Sequence, residues 1–421
     1  MTELQDRHGD AFSVPFPIWG RLAYFAHPDA IKQIFTGDPS VVHSGEAIEP
    51  VLSPVLGRRS VFVMDEDEHL RERRLLLPPF HGERVRGYAD TFHELAARDV
   101  ERWPVGQPFA LRERMQSVTL EAILRTVFGV RDPERIARFQ EEVPRLARTG
   151  VLITMLPVTR RGTSRLMPWG RFLRARARND ELVYAEIDRG LADPAIEERD
   201  DVLALMLQAR HEDGSRMTRE ELRDELMTVI AAGHETTATG LSWLFERVLR
   251  HPEVEERLRA EIESGGDEYL DATVRETLRV RPVVMDVIRR LKRPMEIGGF
   301  DLPAETHVVP AIALVQRRED VYPEPLAFRP ERWLEDAPPT TYTWIPFGGG
   351  VRRCIGAAFA QLEMKVMARA ILERARLSAP DQSPEPQRAE HVTVVPARGA
   401  RVVLDERLTA ASRPAVAAVT A

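Results

Sequence analysis

Along most of this chain apolar positions recur every three to four residues, the spacing that gathers them on one face of an α-helix. Glu83 to Trp103, Leu111 to Val130 and Pro133 to Arg148 all carry that rhythm, and Arg171 to Arg189 resumes it. Gly150 to Gly170 interrupts it with a short apolar run followed by basic residues. The longest helical stretch opens at Thr218-Arg-Glu-Glu221, a capping box, and runs without proline to Arg250. At about 1.5 Å per residue it spans roughly 50 Å. His251-Pro252 restarts a helix to Ser264, Leu270 to Val280 forms another, and Ala357 to Arg374 is amphipathic. Nearer the start, Pro28 opens a helix to Phe35 at a position where its missing N–H costs nothing.

Strand signals are few. Ala11 to Val14 and Leu22 to Ala26, around Pro15, Pro17 and Gly20, predict a hairpin. Met295 to Ile297 before Gly298-Gly299 predicts a strand and turn, and Val392 to Pro396 with Arg401 to Leu404 predicts a closing hairpin. Ser40 to Val63, with scattered prolines and glycines, reads as irregular. No linker divides the chain, which predicts one domain over residues 1–404 and a disordered tail over 405–421. The fold class is mainly α with a small β region.

Composition narrows the function. With 43% hydrophobic and 30% charged residues the chain can bury a large core and a flat cofactor. A net charge of −7 and the lack of a basic stripe give nucleic-acid binding no support. No apolar run is long enough to span a bilayer, and the first residues are unlike a secretory signal, so a cytoplasmic location is expected. One cysteine rules out an internal disulfide framework.

That cysteine lies in Trp344-Ile-Pro-Phe347-Gly-Gly-Gly350-Val-Arg352-Arg353-Cys354-Ile-Gly356. Glycines let the backbone bend and approach a ligand, and Ile355 onward opens an apolar helix with free first amides. A sulfur there is biased towards thiolate, a good ligand for haem iron. The plain alternative is a small buried hydrophobe. A second irregularity is Ala231-Ala232-Gly233-His234-Glu235-Thr236-Thr237, in the middle of the longest helix. Glycine and consecutive threonines are poor helix formers, and threonine hydroxyls can compete for helix carbonyls. The segment is either a packing kink or a groove.

Together these motifs resemble the cytochrome P-450 monooxygenases of the soluble bacterial type. Phe347-x-x-Gly350-x-Arg352-x-Cys354-x-Gly356 matches that family's haem-binding signature at every position. Ala232-Gly233-His234-Glu235-Thr236 resembles its Ala-Gly-x-acid-Thr motif. Glu276-Thr-Leu-Arg279, by itself a commonplace surface pair, is similar to its Glu-x-x-Arg motif, with Arg332 downstream. His69-x-x-x-Arg73 and Arg289 resemble its contacts to the haem propionates. The resemblance covers about Gly9 to Leu404 and has clear consequences. Haem b (iron protoporphyrin IX) would lie between the long central helix and the helix after the cysteine loop, with Cys354 as the metal ligand. Ala232, Gly233, Phe347, Gly350 and Gly356 would cradle the ring, and His69, Arg73, Arg289 and Arg352 would meet the propionates. Glu235 and Thr236 would be the acid and alcohol of a proton relay. Glu276, Arg279 and Arg332 would lock the cysteine loop to the core. Ser40 to Val63 would cover the substrate, Val283 to Val287 would line its pocket, and Gly150 to Gly170 would form part of a mobile lid.

The implied reaction inserts one atom of dioxygen into a small-to-medium apolar substrate, by hydroxylation or epoxidation. No flavin or iron–sulfur segment is visible, so a separate ferredoxin or flavodoxin is the expected donor, docking near Arg71, Arg74, Arg353 and Lys365. Two alternatives stay open: a peroxide-driven thiolate-haem oxygenase and a non-enzymatic haem gas or redox sensor.

Overall fold

The computed structural model describes residues 1–155, 159, 160, 162–164, 167–336, 339–390 and 392–408. In chain order the helices are α1 (Thr2–His8), α2 (Pro28–Phe35), α3 (Gly45–Leu56), α4 (Glu66–Leu76), α5 (Glu83–Gly87), α6 (Ala89–Val100), α7 (Leu111–Val127) and α8 (Pro133–Met155). They continue as α9 (Pro168–Ala192), α10 (Val202–Gln208), α11 (Arg219–Val248), α12 (Pro252–Glu263), α13 (Glu268–Val280), α14 (Ile312–Val315) and α15 (Ala357–Arg374). The strands are β1 (Ala11–Phe16), β2 (Gly20–Phe25), β3 (Val42–His43), β4 (Pro108–Ala110), β5 (Arg289–Leu291) and β6 (Met295–Ile297). After them come β7 (Phe300–Leu302), β8 (His307–Pro310), β9 (Ala375–Ser378), β10 (Gln387–Glu390), β11 (Thr393–Pro396) and β12 (Arg401–Arg407).

Helix α11 is the axis of the molecule. Its capping box forms as the sequence predicts: Glu221 N–H donates to Thr218 Oγ1 at 3.2 Å, and Thr218 N–H donates to Glu221 Oε2 at 2.7 Å. It packs against α7, α9, α13 and α15, and residues 222–228 and 237–246 are buried without a break. A helix buried all round is a core element rather than an amphipathic surface one. Accessible surface reappears on it between Val229 and Thr236, over the irregular segment. Where α11 meets α15 the two helices approach closely, so that a Cβ on Gly240 would lie 2.9 Å from Met364 Sδ.

The β region is small and lies off this bundle. The strand order β1-β2-β8-β5-β3 forms a five-stranded sheet whose first pair is the predicted hairpin, registering Ala11 with Phe25. β6 and β7 form a second hairpin across Gly298-Gly299.

Four expectations need correction. The stretch from Ser40 to Val63 is not irregular, since it contains β3 and the twelve-residue helix α3. Its cap comes from far away in sequence: the Asp65 carboxylate accepts from Ser44, Gly45 and Glu46 N–H at 2.9, 2.9 and 2.7 Å. Pro54 deprives the Pro50 carbonyl of its helical donor, and the Arg160 guanidinium takes its place. Helix α8 extends past Arg148 to Met155, and α9 begins at Pro168. The closing hairpin does not form. β11 pairs with β10, a polar segment without a strand signal, while β12 lies between β4 and β9. β12 also runs to Arg407, three residues beyond the expected domain end. Residues 409–421, most of the expected tail, lie outside the described residues, as do positions 156–158, 161, 165 and 166 of the expected lid. No helix among the described residues is long and apolar enough to cross a membrane.

Candidate functional site

The cysteine loop is seated by its glycines. Gly350 adopts φ 63°, the left-handed region that favours glycine, and a Cβ on it would lie 1.8 Å from the Phe35 carbonyl oxygen at the end of α2. Gly349 packs flat against the Phe35 ring, where a Cβ would come within 2.5 Å. The Phe347 carbonyl accepts the Cys354 N–H at 2.9 Å, closing the loop. Helix α15 spans Ala357–Arg374, the bounds the sequence predicts for the amphipathic helix after the loop.

Cys354 is exposed, yet protein surrounds its sulfur, so its free surface opens inwards. A Cβ on Gly356 would meet no protein atom within 4 Å. Burial pushes the thiol up from its ordinary value, against the pull of the Gly356 N–H, Arg73 and Arg353. The bias towards thiolate expected from the sequence is therefore not set by the protein alone. Iron ligation would supply the rest.

The four residues assigned to the propionates converge from three separate parts of the chain. His69 and Arg73 come from α4, Arg289 from β5 and Arg352 from the cysteine loop. Burial and the charges of Arg352, Arg73 and Arg289 push His69 down to about 3. It is therefore neutral at neutral pH, and the arginines carry the charge. Arg289 is held down to about 10 by burial and by Arg352. Arg352 is also held at about 10, mainly by burial, although Asp65 pulls the other way. Among the described residues Asp65 is the carboxylate opposing this group, with Oδ1 2.5 Å from Arg352 Nη2. Arg352 also donates to the Val61 and Met64 carbonyls, and Arg73 Nη2 donates to the Arg353 carbonyl at 2.7 Å beside the cysteine. Three guanidiniums, one buried and two partly buried, against one carboxylate leave an excess of positive charge that suits a dicarboxylate. With the inward-facing sulfur and the open side of Gly356, this donor set fits haem b.

On α11 the expected acid and alcohol are adjacent but differently engaged. Thr236 Oγ1 donates to the Ala232 carbonyl at 2.6 Å. The Glu235 carboxylate is tied to α7, where Arg112 Nη2 pairs with Oε1 and Gln116 Nε2 donates to Oε2 at 2.7 Å. The same Arg112 nitrogen lies 2.8 Å from Glu390 Oε1 on β10. At Gly233 a Cβ would lie 2.7 Å from the tip of Ile123, so α7 and α11 approach closely there. Sequence reading missed Arg112, Gln116 and Glu390, because nothing local links them to α11. It also missed Glu363, whose buried oxygens have no hydrogen-bond partner within normal reach. That residue had a signal: a charge on the apolar face of α15, four positions from both Phe359 and Met367.

The charged cluster behind the loop is buried. Arg279 grips Glu276 through Nε and Nη2, both at 2.8 Å, and Arg332 Nε reaches Oε1 at 3.1 Å. Trp333 Nε1 donates to the same carboxylate at 3.1 Å, and its ring meets Trp344 edge-on at 5.3 Å. Trp344 in turn packs on Phe347. Of the expected docking cations, Arg71 and Arg353 are exposed, whereas Arg74 pairs with Glu212 and Lys365 with Asp267.

A mostly helical fold that turns one sulfur inwards beside a dicarboxylate site belongs to the haem-thiolate class. Comparison with known proteins carries this to a family. The cytochrome P450 family model matches residues 1–404. The putative cytochrome P450 135B1 of Mycobacterium tuberculosis is 44% identical over 408 residues, spanning 96% of this chain and 86% of the relative. The putative cytochrome P450 138 of the same organism is 39% identical over 402 residues, spanning 95% and 90%. Among solved structures, retinoic acid-bound cyanobacterial CYP120A1 superposes with a TM-score of 0.83 at 22% identity, covering 97% of this chain and 94% of that one. The haem domain of cytochrome P450DA gives 0.84 at 23%, covering 96% and 91%. The chain belongs to the cytochrome P450 family, and is a haem-thiolate monooxygenase that uses haem b, dioxygen, an organic substrate and a redox partner.

Proposed function

We propose that this enzyme hydroxylates or epoxidises a small-to-medium apolar molecule in the cytoplasm, drawing electrons from a separate ferredoxin or flavodoxin. The proposal takes residues 1–404 as the haem domain, extended by the last turns of β12. The observation that carries it is the reopening of α11 around Ala232, Glu235 and Thr236, where an alcohol and a carboxylate stand on a helix buried on both sides of that segment.

When bound, haem b supplies the redox-active iron that reduces dioxygen. Cys354 would hold it through sulfur, with the Gly356 N–H tempering the sulfur's charge. Arg73, Arg289 and Arg352 would bind the two carboxylates, with His69 as a neutral hydrogen-bonding partner. Thr236 Oγ1 donates its hydrogen bond to the Ala232 carbonyl, which leaves the oxygen's lone pairs free to accept from water or ligand. In a relay, Glu235 would take up a proton from solvent water and pass it to the Thr236 hydroxyl as that hydroxyl gives up its own. To do so it must loosen from Arg112, and Glu390 at 2.8 Å keeps that guanidinium paired when it does. Arg71, exposed on α4, and Arg353, exposed next to Cys354, are the cations available to an acidic electron donor.

The test is Thr236→Ala with a reconstituted donor system. The variant should bind haem as the parent does while the fraction of electrons lost as peroxide rises at least several-fold. Unchanged coupling of electrons to product would overturn the relay. Spin-state titrations with terpenoid, fatty-acid and polyketide panels would separate the substrate classes. Saturable shifts confined to polar ligands would overturn the apolar assignment.

A further inference from the structure

Asp65 joins two parts of the site that the reaction itself does not require to be joined. One carboxylate accepts the three amides of the first turn of α3 and also pairs with Arg352 of the cysteine loop. Ser44, the local candidate for the cap, makes no side-chain capping bond. Docking of α3 is also tight: a Cβ on Gly45 would lie 2.5 Å from both the Met64 and Val63 carbonyl oxygens. The next residue, Glu66, sits at φ 50°, a left-handed conformation that a non-glycine residue adopts only with strain. Such strain persists where surrounding contacts over-determine the backbone. His43 supplies some of them, with Nε2 3.0 Å from Glu66 Oε1 and Nδ1 3.6 Å from Asp65 Oδ2.

We propose that Asp65 is a positioning residue that couples the seating of α3 to retention of haem by the arginine cluster. The geometry gives the reason. Asp65 is the carboxylate opposing Arg352 and Arg289, so it sets how much of the Arg352 charge remains for a second anion. In turn Arg352 holds the Asp65 carboxylate where the three α3 amides converge. A change at either end is felt at the other, and linkage makes the effect reciprocal. The inference rests on the reading of Arg73, Arg289 and Arg352 as the propionate site.

The test uses haem-loaded protein and two measurements. Hydrogen exchange follows the peptide spanning residues 44–57, and transfer to an apoprotein scavenger gives the rate of haem loss. Arg352→Lys keeps a charge but loses the planar fork, and the hydrogen bonds of Arg352 go to Val61, Met64 and Asp65, with none to α3 among the described residues. Coupling predicts that it speeds exchange at the α3 amides at least several-fold. Asp65→Asn removes the charge while keeping one acceptor oxygen, and should both speed that exchange and change the rate of haem loss by roughly tenfold. Unchanged α3 exchange in Arg352→Lys, or unchanged haem loss in Asp65→Asn, overturns the coupling and leaves Asp65 as a helix cap alone. Failure of the underlying reading has a different signature: Arg289→Ala and Arg352→Lys would both retain haem as firmly as the parent.

Discussion

Removing the Glu276 carboxylate should release the cysteine loop. This carboxylate accepts from Arg279 twice, from Arg332, from Trp333 and from the Arg329 N–H. Glu276 and Arg279 are fully buried and Arg332 is nearly so. In Glu276→Ala, Arg279 keeps its bonds to the Gln316, Pro325 and Ala327 carbonyls, so the loss is of charge balance rather than of all partners. Removing one member of a buried ion pair costs about 3–5 kcal/mol. A whole domain is stable by only about 5–15 kcal/mol. The effect should therefore reach the site, through Trp333, Trp344 and the Phe347 carbonyl that holds Cys354 N–H. Urea denaturation followed in parallel by Soret absorbance and far-UV circular dichroism measures it. The midpoint should fall sharply and haem content with it. Glu276→Gln, which keeps the volume and one acceptor, should lose nearly as much. A Gln variant close to the parent would refute the charge argument, and an Ala variant close to the parent would refute the role of the cluster altogether.

Three further outcomes are expected. Burial raises Glu363 well above the ordinary glutamate value of 4.5, so the folded protein holds it protonated where the unfolded chain ionises. Its contribution is intact below 4.5 and declines by up to about 1.4 kcal/mol per pH unit as pH climbs towards the folded pKa. Glu363→Gln should then match the parent in thermal stability near pH 4.5 and exceed it at pH 8; a constant difference across that range would contradict this. Gly350→Ala places a Cβ against the Phe35 carbonyl and adds left-handed strain, so it should purify with little haem, read from the ratio of Soret to protein absorbance. Arg112→Leu frees Glu235 from its ion pair and should move the pH profile of electron coupling while leaving haem content unchanged; an identical profile would show that Arg112 does not position Glu235.

Elements whose stabilising contacts lie within one stretch of sequence were legible before the fold was known. The capping box at Thr218, proline at the first turn of α2 and the glycines of the cysteine loop each act over a few residues. What escaped depends on contacts between distant parts of the chain. Helix α3 hides behind Pro50 and Pro54 because its cap is Asp65 and one of its orphaned carbonyls is met by Arg160. The pairing of β12 with β4 spans most of the chain, and β10 lacks any apolar pattern to reveal it as the partner of β11. The same holds at the site. Glu235 and Thr236 are readable as a motif, yet the Arg112–Glu390 arrangement that engages Glu235 is set by the packing of α7 and β10 beside α11.

The central claim is that Cys354 ligates haem iron through its sulfur. Its most direct measurement is the absorption spectrum of the reduced protein under carbon monoxide. Thiolate ligation predicts a strongly red-shifted Soret band in the parent that is absent from Cys354→Ala. A band at the position given by imidazole ligation, or a red-shifted band that survives in Cys354→Ala, would contradict it.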